Sequence, residues 1–167
     1  MEKIKILFTS VGRRVELMSA FHAAADRLGV PLEIWGADVK EAVSAFLYCD
    51  RAVTVCKIKD PNYIPSLLEL CENEKINALI PTIDTDLLLL AQNKHLFDKV
   101  GTKVLISAEE KIQLCRDKRY TATYFHSVGL ESPDPVDDYL AYSGGYPAFI
   151  KPKDGSSSVG AYKVHSP

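Results

Sequence analysis

Through the first two thirds of the chain, short apolar runs alternate with stretches in which apolar residues recur every three or four positions. Ile4-Lys5-Ile6-Leu7-Phe8 has the run of a buried central strand. After it, Thr9 or Ser10 can cap a helix whose Val15, Met18, Phe21, His22, Ala25 and Leu28 share one face until Gly29 ends it. On that face His22 reads as a packed core residue. Leu32 to Ala37 is a second strand closed by Asp38, and Ala52 to Val55 a third. Asp60-Pro61 opens a helix with Pro in its first turn, and Ile64, Leu67, Leu68 and Cys71 carry its period. Ala78 to Pro81 is a fourth strand. Asp84-Thr85-Asp86 caps a helix through Leu87 to Ala91, and Lys103 to Ile106 is a fifth strand. Strands alternating with helices predict right-handed crossovers and an α/β fold: a Rossmann-like parallel sheet with helices on both faces.

The pattern changes after Ile106, which divides the chain into domains 1–106 and 107–167. Ser107-Ala108-Glu109-Glu110 is a capping box before a helix through Ile112, Leu114 and Cys115. Asp117-Lys118 interrupts it, and a further helix runs through Tyr120, Tyr124 and Phe125 to Val128, stopping at Gly129. Glu131 to Pro135 is a link rich in breakers, and Asp137 to Leu140 a short helix or turn. A hairpin follows: Ala148-Phe149-Ile150 reads as a buried strand ending in Lys151, Lys153 to Gly160 as a small polar loop, and Ala161 to Val164 as the return strand.

Composition narrows the function classes. The chain has 167 residues, 47% hydrophobic and 25% charged, which suits a globular protein with a real core. Its 20 Lys+Arg against 22 Asp+Glu leave a net charge of −2, so no basic field invites nucleic acid or an acidic membrane. No apolar run reaches transmembrane length. Cys49, Cys56, Cys71 and Cys115 form no CxxC and no metal-like spacing with histidine. They read as reduced thiols of a cytoplasmic protein.

Two stretches carry candidate chemistry. In the loop Lys153-Asp154-Gly155-Ser156-Ser157-Ser158-Val159-Gly160, glycine permits close backbone approach and serine adds hydroxyls without bulk. Successive N–H groups there can form a concave anion site, with Lys151 as an adjacent point charge. A mobile surface tip has the same composition. The stretch is not a P-loop, because Ala161-Tyr162 stands where Lys-Ser/Thr is required. The second stretch lies beyond the carboxyl ends of the strands, where open α/β sheets bind ligands. There Arg13 and Arg14 oppose the helix macrodipole unless an anion offsets them, while Asp84 and Asp86 have the residue type to hold a metal together but, like Asp38, read as caps. A single glycine in Thr9 to Arg14 disfavours a dinucleotide site.

Taken in order, Lys118 in Cys115-Arg116-Asp117-Lys118, then Gly129-Leu130-Glu131-Ser132-Pro133, Phe149-Ile150-Lys151-Pro152 and the loop from Asp154 to Gly160 resemble the opening of an ATP-grasp domain. Pro81-Thr82-Ile83-Asp84-Thr85-Asp86 is similar to a segment of the short ATP-grasp proteins related to the carbamoyl-phosphate synthase large subunit. The resemblance implies a Rossmann-like pre-ATP-grasp domain (1–106) followed by the incomplete N-terminal lobe of an ATP-grasp domain (107–167).

It further implies ATP as a cofactor, held by Lys118, Lys151 and Lys153 with Gly155, Ser156, Ser157, Ser158 and Gly160. Arg13, Arg14 and Asp84 are then substrate-side residues. The family activates a carboxylate or bicarbonate as an acylphosphate, which an amine attacks. Its Mg2+ ligands lie in a second lobe that these residues do not include, so the resemblance implies an N-terminal fragment, inactive alone, which forms a homo-oligomer or meets a complementing C-terminal half. The other reading is a small-anion binding or subunit-interaction module that performs no chemistry.

Overall fold

The computed structural model describes residues 2–136, 138, 140, 142–155 and 157–166. These form two compact units, 1–108 and 109–167.

The first unit is built on five parallel strands: β1 (Ile4–Thr9), β2 (Leu32–Asp38), β3 (Arg51–Thr54), β4 (Ala78–Pro81) and β5 (Lys103–Val104). Their order is β3-β2-β1-β4-β5, with every pairing parallel. The crossovers carry α1 (Val15–Leu28), a 3-10 turn (Ser44–Tyr48), α2 (Tyr63–Glu74) and α3 (Asp84–Lys99). Successive side chains of a strand face opposite ways, so β1 and β2 each feed two cores. Leu7 and Trp35 pack with Tyr63, Leu67, Cys71, Leu90 and Phe97 on one side. Phe8 and Ile34 pack with Val11, Met18 and Ala45 on the other. This is the doubly wound Rossmann-like architecture, whose chain order reverses at β1 and β4.

Several local expectations are corrected. The proline in the first turn of α2 is Pro65, because Asn62 is the N-cap and Pro61 precedes it. Helix α3 runs on to Lys99 and is capped by Ile83, so Asp84 and Asp86 lie inside its first turn. His22 is not a core residue: its side chain remains 37% exposed, with Nε2 3.7 Å from Asp50 Oδ2.

The second unit contains α4 (Glu109–Arg116), α5 (Lys118–Ser127) and an antiparallel hairpin of β6 (Ala148–Ile150) and β7 (Tyr162–Val164). Asp117 caps α5 by accepting from the Arg119 backbone N–H at 3.0 Å. Gly129 follows the helix at φ 77°. The predicted turn over 137–140 falls partly outside the described residues. Strand β6 is not buried as its apolar sequence predicted. Phe149 is 72% and Ile150 54% exposed, since two strands alone offer no second layer to cover a face. Among the described residues no helix is long and apolar enough to cross a membrane.

Candidate functional site

In the first unit the strand ends converge on a buried carboxylate. Asp86 is fully buried. Its Oδ2 accepts from Thr9 Oγ1 at 2.7 Å, Ser10 Oγ at 3.1 Å and Tyr63 OH at 3.3 Å. Its Oδ1 has no partner among the described residues. Burial pushes the Asp86 carboxyl above its ordinary range, against the three hydroxyls that favour its charge, and the nearby Asp38 adds to the rise. The same burial, with Asp86 beside it, raises the Tyr63 phenol.

The turn after β1 is tied into this cluster. Ser10 adopts φ 57°, a left-handed conformation uncommon for serine. Its carbonyl accepts from Thr82 Oγ1 at 2.7 Å. Asp38 accepts from the Gly12 N–H at 2.9 Å and the Lys40 N–H at 3.2 Å, and so secures the loop beyond. Of the candidate substrate residues, Arg13, Arg14 and Asp84 are all exposed. Arg14 reaches the Thr82 carbonyl through Nη2 at 3.4 Å, which bridges the β1 and β4 ends. Reading Asp86 as a helix cap is overturned by its hydroxyl contacts. Thr9, Ser10 and Thr82 lie in stretches the sequence singles out, though not as partners of Asp86, whereas Tyr63, on α2, carries no such signal.

In the second unit Lys118 and Lys151 line one hollow of about 190 Å³, together with Gly155, Ser157, Ser158 and an apolar wall of Pro152 and Val159. That volume is below the roughly 300–1,000 Å³ of a drug-sized ligand site. Lys118 Nζ donates to the Gly155 carbonyl at 2.7 Å. Lys151 follows β6 into solvent. Ser157 and Ser158 have φ of 55° and 58°. Gly160, at φ 75°, is needed for a second reason: a Cβ there would lie 2.9 Å from Pro152 Cγ. The glycine therefore also serves the packing of the loop on proline. Lys153 is exposed and contributes its carbonyl to Lys118, and Ser156 lies outside the described residues. Among the described residues no cluster of three or more His, Cys, Asp or Glu could hold a metal ion.

Residues 6–105, which contain the whole sheet apart from the first positions of β1, match the model of the PylC-like N-terminal domain. The chain belongs to this family. Its PylC-like region is followed by the unit that carries the lysine hollow. A D-alanine–D-alanine ligase from Thermoanaerobacter sp. (strain X514) is 39% identical over 79 residues, covering 40% of the chain and 21% of that ligase. The same values hold for the ligase of Thermoanaerobacter pseudethanolicus.

Among solved structures, a Rhizobium etli pyruvate carboxylase superposes with a TM-score of 0.69 at 15% identity, over 99% of this chain and 16% of that one. The L-amino acid ligase of Bacillus licheniformis gives 0.64 at 14%, over 98% and 39%. The biotin carboxylase of Campylobacter jejuni, determined as a β-γ-ATP complex, gives 0.64 at 18%, over 97% and 38%. At these identities the likeness establishes the fold, which is that of the N-terminal part of ATP-grasp enzymes. The PylC-like chain spans about a fifth of the curated ligases it matches.

Proposed function

We propose that this PylC-like chain is the N-terminal portion of an ATP-dependent carboxylate–amine ligase. Residues 1–106 act as its pre-ATP-grasp domain, and residues 107–167 begin the nucleotide-binding lobe. The observation that carries this reading is the sharing of one hollow by Lys118 and Lys151, 33 positions apart, with a backbone of small residues on its wall. Two lysines beside a loop of glycine and serine suit the charge of a triphosphate. Such a site acts by holding the phosphates in line and offsetting their charge, with little covalent chemistry of its own. The names of the relatives, a D-alanine–D-alanine ligase and an L-amino acid ligase, support a carboxylate or bicarbonate acid and an amine as substrates, activated through an acylphosphate.

In this reading Lys118, Lys151 and Lys153, with Gly155 to Gly160, hold the polyphosphate, while Arg13 or Arg14 and Asp84 receive the acid and amine. The described carboxylates do not fit a Mg2+ cage, so no step is assigned to a metal held by them. The carbamoyl-phosphate synthase-like type is the subclass that the Pro81 to Asp86 segment favours. A homo-oligomer or a complementing C-terminal half would be the protein partner.

The test is phosphate release by a polypeptide as long as the ligase relatives, screened across small carboxylates with amines. Release that requires ATP, an acid and an amine is expected. Replacing Lys151 with Met should raise KM for ATP by about tenfold or more, as expected for loss of a charge-assisted contact. Wild-type kinetics in that variant, or no acid-dependent release, would remove the ligase reading. The 167-residue chain itself is expected to show no ligase activity and only weak ATP binding. Micromolar Mg-ATP affinity by calorimetry would contradict this.

A further inference from the structure

The Lys118 ammonium is engaged by backbone oxygen. Its Nζ donates to the Gly155 carbonyl at 2.7 Å and reaches the Lys153 carbonyl at 3.4 Å. Its own backbone N–H donates to that same Lys153 carbonyl at 2.9 Å. The first residue of α5 thus grips the root of the Gly/Ser loop through main chain and side chain together. The adjacent carboxylate is occupied elsewhere. Asp117 accepts from Arg119 Nε at 3.0 Å, Arg119 Nη2 at 2.7 Å and the Arg119 backbone N–H at 3.0 Å. A cation in the first turn of a helix also meets the positive end of the macrodipole. Neutral carbonyls are weak compensation for it.

We propose that Lys118 is a latch, which holds the loop root against α5 until a polyphosphate draws its ammonium away. An ammonium already makes a charge-assisted bond to a carbonyl, but an anionic oxygen adds a second, opposite charge to that bond and so attracts it more strongly. A phosphate entering the hollow therefore competes for Nζ, and each bond it gains frees Gly155 or Lys153. Arrival of the anion loosens the loop root instead of tightening it. This release step rests on the phosphate reading of the hollow, whereas the latch does not.

Trypsin reads the latch directly. The Lys151-Pro152 bond resists trypsin because proline follows, so cleavage within the loop falls after Lys153. That carbonyl must leave Lys118 to enter the protease oxyanion hole. Cleavage after Lys153 should be about tenfold faster in Lys118→Met than in wild type, since cutting tracks the open population. Lys118→Arg, which keeps the cation and its donors, should stay within about twofold of wild type. Cleavage after Lys111, inside α4 of the same unit, monitors unfolding of that unit and should not change.

Millimolar inorganic tripolyphosphate should raise the wild-type rate towards that of Lys118→Met and leave the variant unaffected. Equal rates after Lys153 in wild type and Lys118→Met would overturn the latch. A faster variant whose wild-type parent is protected by tripolyphosphate would overturn the release step while supporting phosphate binding. A faster variant with no tripolyphosphate effect at any bond would support the latch and overturn the phosphate reading.

Discussion

Thr9 Oγ1 donates to Asp86 Oδ2 across 2.7 Å, joining residues 77 positions apart and fixing the end of β1 to the first turn of α3. Two further hydroxyls, from Ser10 and Tyr63, meet the same oxygen. A single buried carboxylate thus organises the edge at which this sheet would receive a ligand.

Asp86→Ala leaves those hydroxyls without an acceptor in a buried site. We expect a loss of about 3 kcal/mol in urea-unfolding stability, the range for breaking a buried polar network. Asp86→Asn keeps one acceptor oxygen and should lose less than half as much. Equal stability of wild type and Asp86→Ala would show that the three hydroxyls find other partners.

The same group sets a pH dependence. Because the folded carboxyl is raised above its ordinary value of 3.8, the native state holds its proton to higher pH than the unfolded chain does. Stability therefore falls as pH rises from about 3.8 through the raised folded value, and below that window the group contributes no slope. Asp117 behaves oppositely. Hydrogen bonds from Arg119 hold it at about 2, so its contribution is present above 3.8 and lost as pH falls through 2. The stability difference between Asp86→Asn and wild type isolates the first effect. It should shift in favour of the variant as pH rises above about 3.8, and a flat difference would contradict the raised pKa.

Gly36 lies in β2 against the turn that follows it, and a Cβ there would sit 2.6 Å from Cys49 Sγ. Gly36→Ala should cost about 1–3 kcal/mol through overpacking. Adding Cys49→Ala removes the clashing sulfur. The double variant should recover at least about 1 kcal/mol, measured as a double-mutant cycle in denaturant. Simple additivity would place the strain elsewhere.

The four thiols should react in an order set by burial. Cys71 and Cys49 are both pushed up to about 11, mainly by desolvation, with Asp50 adding to the rise at Cys49. At pH 8 each is therefore only about one part in a thousand thiolate. Cys115 is exposed. Ellman's reagent should titrate Cys115 first, and Cys71 only on unfolding. Fast labelling of Cys71 in the native protein would mean that the core around α2 opens readily.

Much of the fold was legible because its signals are local. Periods of two and of three to four residues, read over Ile4 to Phe8 or Val15 to Leu28, reflect a geometry that each segment carries within itself. The lengths of α3 and β5 were harder to read, since an end depends on where packing stops as well as on propensity. The lysines and the small-residue loop were legible because their chemistry is written in residue type. The exposure of β6 was not, because an apolar strand reads as buried whether or not a layer covers it.

By itself, then, the sequence determined an alternating α/β chain, the parallel sheet that follows from it, and a lysine-flanked Gly/Ser hairpin. Tertiary structure alone decided that Asp86 is the buried acid while Asp84 faces solvent, and that Tyr63 joins it from α2. It also decided that Lys118 closes on the carbonyls of Lys153 and Gly155. The physical reason is range: propensity and periodicity act over a few residues, whereas a hydrogen bond across 77 positions exists only once the sheet has brought its strand ends together.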